Sequence, residues 1–500
     1  LSLKRCLKRL IMYQWAFLIF LYLIGLLYIN VLFPNLSNNH RQLLSPFFGV
    51  GFSGVVVGFL LIARIPLSLP YFFICLLLIL IFAKILLKIL YLHNLSWGQL
   101  FAHTSSNVLS ISFVLYLVIS CFFVLSGFAD ASPDSTQFEA TGRYLAQGGL
   151  VNSSTPQMAF MLNGRLLIVG AMHAMTRLFG GYSLYALNPT MCVWLLLFLA
   201  YTIFILNRKV DNVTRILLLL FFVITLGFYK HFFNGMFAIH SNQLSMIFFT
   251  VSIVSLYFFT VTEEKSWVYI GSLTIGFACL TRVDMLLCSL IFFFLLTLIR
   301  KTDYNMMKYA WYIFFVSLLP WRAFTLYYTP LNTWYVNATQ LYLLIGANII
   351  LCLLSTQLHR YNRTPVNLIR KSPFIVGPII IFLLIFFIPE KVELSWNLFI
   401  KYILLGHSTW LLLIISLIIS TISFYYIDFR EKNYYILFIP TGLYLFMLFL
   451  LVAFAGYENV DHSASRMVFH TVPLFIYSLF IGFSTAVTNK PKTSREMLAS

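Results

Sequence analysis

Apolar residues run along this chain in blocks long enough to cross a membrane, not in the alternation of a strand or the one-sided stripe of a soluble helix. The first block covers 10–33, behind Lys4, Arg5, Lys8 and Arg9, and others follow at about 46–63, 67–92 and 108–125. Further blocks recur at about 183–206, 213–229, 236–260, 267–281, 284–300, 308–328, 339–356, 373–388, 406–427, 434–455 and 467–487, two of them of marginal length. A spanning helix needs roughly 20 apolar residues. Only helices satisfy their own backbone in lipid without the period of two that a barrel requires. The fold class is therefore all-α, a polytopic transmembrane helical bundle of about 13–15 spans. The run after Lys4-Arg5 is too long for a signal segment and lacks a cleavage site, so it reads as a retained anchor.

The main break in this pattern begins at 126–149, S-G-F-A-D-A-S-P-D-S-T-Q-F-E-A-T-G-R-Y-L-A-Q-G-G. It holds three of the chain's fifteen acids, Asp130, Asp134 and Glu139. Pro133 starts a helix well and Gly148-Gly149 ends one, so a short interfacial helix is expected over 133–147. Asp134 reads either as its N-cap, with Gln137 as box partner, or as a group with chemistry to do. A second surface helix is expected over 156–179, carrying Arg165, His173 and Arg177 among Met and Leu.

Composition agrees with lipid as the solvent: 61% of the 500 residues are hydrophobic, 10% are charged, and the mean hydropathy is +0.90. The net charge of +18 falls largely in loops, where it reports contact with anionic lipid and does not imply nucleic acid. Basic residues mark six loops or ends: Arg208, Lys209 and Arg215; Lys265; Arg300 and Lys301; Arg360 to Lys371; Arg430 and Lys432; Lys490 to Arg495. Counting spans puts all six on one face, which the positive-inside rule makes cytoplasmic. The opposite face receives the acidic stretch, Lys230-His231, Arg282 with Asp284, Arg322, 389–396 and 457–466. Three runs before residue 108 break this parity. Either one of them does not fully cross, or the basic N-terminus lies outside. Lys84 and Lys88 favour an inward end for the third run.

The seven cysteines have no paired or metal-type spacing and read as small packing residues. No H-x-x-x-H or G-x-S-x-G occurs, which removes support for metalloprotease and serine-hydrolase chemistry. On the outer face, a carboxylate could take a proton from an acceptor hydroxyl or amine, or bind a divalent metal (Mg or Mn) that neutralises a phosphate leaving group. Arg143, Arg165, Lys230, His231, Arg282, Arg322, His462 and Arg466 are candidates to grip a phosphate. Each has a plainer reading. Arg282 and Asp284 make a local ion pair at a helix end, Arg322 after Trp321 is an interfacial anchor, and His240 and Asn242 cap a span.

In order, four pieces resemble the GT-C superfamily of integral membrane glycosyltransferases, which includes the protein O-mannosyltransferases and the lipid A aminoarabinose transferases. They are S-P-D-S-T-Q-F-E-A-T-G-R-Y-L-A-Q-G-G (132–149), the following helix ending in L-F-G (178–180), G-F-A-C-L-T-R-V-D (276–284) and L-P-W-R (319–322). A late segment, D-H-S-A-S-R-M-V-F-H-T-V-P (461–473), is similar to the family's Arg-Tyr…Pro ending, with Met467 in place of Tyr. Ser135 stands where the family often has a second acid, and the three N-terminal runs are additional. The resemblance implies an added transmembrane module at 1–106, a catalytic domain at 107–490 with an outer loop at 127–182, and a cytoplasmic tail at 491–500. It implies a polyprenyl-phosphate sugar as donor and a lipid, glycan or protein as acceptor. The setting would be a bacterial inner membrane with the site on its periplasmic face. Asp134 matches the family's catalytic acid, with Asp130 second; Arg282, Arg322 and Arg466 would hold the donor phosphate, and Asp284 lies beside them.

Two other functions fit a multi-spanning chain. A polysaccharide polymerase or O-antigen ligase concentrates Arg and His in a large late outer loop, whereas 457–466 is short here. A transporter or flippase puts charges at mid-membrane, whereas these fall mainly at helix ends.

Overall fold

A computed structural model of the chain describes residues 2–91, 110–127, 133–149, 167–181, 185–207, 212–227, 236–237, 241–299, 301–328, 338–360, 386–398, 435–454 and 469–488. Among these there is no strand. The helices are α1 Ser2–Leu32, α2 Asn38–Ile62, α3 Leu69–Tyr91, α4 Ile111–Ser126, α5 Pro133–Ala146, α6 Leu167–Leu178, α7 Leu187–Leu206 and α8 Asn212–Gly227. They continue as α9 Ser241–Thr262, α10 Ser266–Thr281, α11 Met285–Leu298, α12 Tyr304–Tyr328, α13 Ala338–Arg360, α14 Pro389–Leu398, α15 Tyr435–Phe454 and α16 Val472–Thr488, the last preceded by a 3-10 turn, Phe469–Thr471. Five described helices are long and apolar enough to cross a membrane: Met12–Leu32, Asn38–Ile62, Leu187–Leu206, Ser241–Thr262 and Leu341–Arg360. Six shorter apolar helices accompany them. The blocks at 373–388 and 406–427 lie wholly or mostly outside the described residues.

The centre of the bundle is α2, α9 and α10, buried on nearly every side. Helices α3, α4, α8 and α13 expose rows of large apolar residues, such as Ile74, Leu77 and Leu78 on α3 and Leu343, Ile350 and Leu354 on α13. Water would penalise such surfaces; hydrocarbon does not. Because lipid gives helices little hydrophobic reason to associate, close packing must hold them. The tightest packing is between α1 and α2. Gly25 lies against the Ser45 carbonyl and Gly49 against the Leu21 carbonyl, so a Cβ at either position would overlap backbone. Polar links add to this where side chains cross between helices. Trp194 Nε1 donates to the Leu43 carbonyl (2.7 Å), and Ser289 Oγ donates to Asn348 Oδ1 (2.8 Å).

Two ends of the bundle can be told apart. At one, Lys265 pairs with Asp303 (2.7 Å) and Lys301 pairs with Glu263, joining the α9–α10 and α11–α12 connections. His40 at the start of α2 packs there on Tyr201, Phe258 and Trp267. This is the basic end. At the opposite end lie the start of α9, the break between α10 and α11, and the pair α5–α6. Phe277 near the end of α10 meets Phe52 of α2, and Ile168 of α6 lies against Gly54, two residues further along α2.

This frame answers the parity conflict. Trp15 of α1 donates to the Leu117 carbonyl and Ser120 Oγ of α4, and Tyr116 Oη of α4 donates to the Leu18 carbonyl. The two helices are antiparallel, so α1 starts at the end where α4 finishes. Of the two alternatives, the chain takes the one with its N-terminus on the same side as α5. Helix α3 then runs toward the basic end, carrying Lys84 there, as its position favoured.

The helix expected at 133–147 forms as α5, and it stops where Gly148-Gly149 falls. Gly148 adopts φ +76°, its N–H donates to the Leu145 carbonyl (3.1 Å), and the Gly149 N–H donates to the Tyr144 carbonyl (3.0 Å). That is a Schellman stop, which needs a residue at ease with positive φ. The second surface helix differs from expectation. Its described part is α6, with 156–166 outside the described residues, and Ile168 to Thr176 are buried between α5 and α2. Small residues explain the burial: Gly142 of α5 lies against His173, and Gly170 lies against Thr141.

Replacing Gly49 by Val should destabilise the protein by about 3 kcal/mol, because α1 and α2 must separate. Gly346→Ala, in open space on α13, should leave stability unchanged or raise it by up to about 1 kcal/mol. Thermal unfolding of the detergent-purified variants checks both.

Candidate functional site

Among the described residues, a polar cluster is built around a three-residue interruption. Helix α10 ends at Thr281 and α11 begins at Met285, leaving Arg282, Val283 and Asp284 between them. Arg282 is extended (φ −152°, ψ 146°), which ends the helix and carries its side chain sideways. Its Nε donates to both carboxylate oxygens of Asp284, at 2.8 and 3.1 Å. Its Nη1 donates to Asn242 Oδ1 at 2.6 Å, reaching the first turn of α9. One turn further along α9, Ser245 Oγ and Thr281 Oγ1 share a 2.5 Å hydrogen bond. The ion pair expected from the sequence is thus real, and it also ties three helix ends together. Asn242 does more than cap a span.

Burial alone would raise the Asp284 carboxyl, but the Arg282 charge and its hydrogen bond outweigh it, so the pKa lies below the ordinary carboxylate value. Both oxygens are occupied by Arg282. Asp284 is thus committed to Arg282, and no group of three or more His, Cys, Asp or Glu able to hold a metal occurs among the described residues.

Arg322 corrects a simpler expectation. Instead of an interfacial anchor leading into a loop, it lies within α12 and is 6% exposed. Its Nη2 donates to the Cys279 carbonyl (2.9 Å) in the last turn of α10. Carbonyls there have no partner within the helix, and the helix dipole favours a cation beside them. Two guanidiniums therefore attend the end of α10, beside one carboxylate among the described residues.

Two residues joined to this end were missed in the sequence. His470, fully buried in the 3-10 turn before α16, has its Nδ1 2.6 Å from Tyr444 Oη of α15. The only available signal was an imidazole at the head of an apolar run, which marks function by default in a membrane.

Helix α5 places the acidic stretch at the same end. The helix begins at Pro133, so Asp134 occupies its second position, not the N-cap. A negative charge there is still favoured by the dipole. Glu139 is taken by the fold: Arg177 of α6 donates to it at 3.0 Å. His173 is buried rather than on the surface, and burial, with the Arg177 charge, lowers its pKa to about 4. Arg143 is exposed in the last turn of α5. Asp130, Arg165, Lys230, His231, His462 and Arg466 lie outside the described residues, as does the side chain of Asp134.

Comparison with known proteins brings no relative to this geometry: no protein-family model, no curated protein and no solved structure matches the chain.

A lowered carboxyl pKa stabilises the folded state above the ordinary carboxylate value, and that contribution is lost as pH falls through the folded value. Asp284→Asn should therefore lower stability at pH 7 by about 2 kcal/mol, the scale of a hydrogen bond to a charged group. It should also remove the share of acid-induced loss below about pH 4 that Asp284 contributes. Unfolding midpoints from pH 3 to 7 check this; parallel profiles for the two proteins would contradict it.

Proposed function

We propose that the chain is a membrane glycosyltransferase resembling the GT-C type, with about 13–15 spans, moving a sugar from a polyprenyl-phosphate donor to a lipid, glycan or protein acceptor. The observation that supports this best is the convergence at one end of the bundle. The helix with Asp134 in its first turn and the Arg282–Arg322 pair share the end opposite Lys265 and Lys301. A displacement at an anomeric carbon needs such a division of labour. A carboxylate takes the acceptor's proton, and cations stabilise the departing phosphate.

In this reading Asp134 is the general base and Asp130 the second candidate. Arg282 and Arg322 stabilise the leaving polyprenyl phosphate. Arg143, Arg165, Lys230, His231, His462 and Arg466 are further candidates for the substrates, and Asp284 positions Arg282. A divalent metal (Mg or Mn) would need the carboxylates of the acidic stretch, because Asp284 is engaged. Excess positive charge in the loops of the basic end argues that this end faces the cytoplasm, which turns the site toward the periplasm of a bacterial inner membrane. Charges gathered at helix ends also favour this reading over a transporter, which needs them at mid-membrane.

Membranes containing wild type should transfer label from a polyprenyl-phosphate sugar panel to lipid or glycan, and Asp134→Asn should reduce transfer by about a hundredfold or more, the scale of a lost general base. Equal transfer by both proteins would remove Asp134 from catalysis. Absence of transfer by well-inserted wild type across the panel would contradict the enzyme reading.

A further inference from the structure

His470 carries a hydrogen-bonding group that no described residue uses. Its side chain is fully buried, its Nδ1 meets Tyr444 Oη, and its Nε2 is buried with no partner among the described residues. The tautomer follows from counting. If the imidazole donated from Nδ1, the tyrosine proton would be left without an acceptor and the Nε2 lone pair without a donor. If Tyr444 donates to Nδ1, only an Nε2–H is left over. The second arrangement leaves one unmet group instead of two, so Tyr444 fixes His470 as an Nε2–H donor.

A buried N–H with no acceptor is unfavourable, and a Leu or Phe in the same place would avoid the penalty. A donor held this rigidly makes sense where the acceptor arrives from outside the chain. The turn bearing His470 leads into α16 at the site end, and its imidazole lies within electrostatic reach of Arg282 and Asp284. A neutral donor beside a guanidinium suits an oxyanion better than a cation or a carbonyl.

Resting on the glycosyltransferase reading for the ligand's class, we infer that the Nε2–H of His470 donates to a phosphoryl oxygen of a lipid-linked phosphate, with Tyr444 as the residue that positions it. His470 is a binding residue for that phosphate, and Arg282 supplies the charge beside it.

The test is equilibrium binding of farnesyl phosphate, with farnesol as the uncharged control, to the purified full chain in lipid nanodiscs. Wild type should prefer farnesyl phosphate. His470→Leu should weaken the phosphate by about tenfold or more, the scale of one charge-assisted hydrogen bond, and leave farnesol unchanged. His470→Gln, whose amide can still donate, should stay within about threefold of wild type. Tyr444→Phe should weaken binding about threefold, and should add nothing in the His470→Leu background. Farnesyl phosphate binding that is equal in wild type and His470→Leu overturns the inference. Should His470→Leu not fold, His470→Gln and Tyr444→Phe decide it: a loss of about tenfold or more in Gln, or no loss in Phe, overturns it. The two readings fail separately. The expected binding pattern without sugar transfer sustains the phosphate site and sinks the enzyme. Transfer that is indifferent to His470→Leu does the reverse.

Discussion

The charge of Arg282 constrains this end of the molecule more than any other group. A guanidinium between packed helices in a low-dielectric surrounding is costly unless its donors are met. Asp284 meets one and Asn242 another, and both demands are geometric. The first requires α10 to stop and α11 to restart within three residues. The second requires the first turn of α9 to lie beside that break. Ser245 and Thr281 then close the contact, and Arg322 covers a carbonyl that the end of α10 leaves open. Central helices in a bundle are usually held by packing along their length. Here α9 and α10 are also pinned at one end by a charge that tolerates few alternatives.

That arrangement separates structural from chemical roles among the polar residues. Glu139 and Arg177 fasten α5 to α6, which carry the acidic stretch to the same end. Lys265, Asp303, Lys301 and Glu263 pair at the basic end, where exposure makes each bond weak. What remains at the site end among the described residues is the Arg282–Asp284 pair, Arg322 and the buried imidazole of His470, with Asp134 in α5's first turn. Those are the parts a phosphate-linked substrate would call on.

Much of this was legible in the sequence because it rests on local rules. Proline at the start and paired glycines at the stop define α5 to within a residue. Arg282 and Asp284 two positions apart announce their own pair, and twenty-residue apolar blocks announce helices in lipid. What escaped depends on contacts between distant segments. Helix α6 reads as interfacial from Arg177 and His173, yet Gly142 and Gly170 let it sink between α5 and α2. Basic residues before residue 10 argue for one orientation of α1, but its close fit to α2 and α4 sets the other. Arg322 reads as an anchor because its acceptor, the Cys279 carbonyl, is 43 residues away. Tyr444 and His470 are 26 residues apart with no pattern linking them.

In the proposed function, the end of the bundle carrying Arg282 is where a lipid-linked phosphate is bound and used. A structure in nanodiscs with a short-chain polyprenyl-phosphate sugar tests it most directly. Phosphate density should lie beside Arg282 and His470, with the sugar toward the first turn of α5. Phosphate density confined to the basic end, near Lys265 and Lys301, would contradict it.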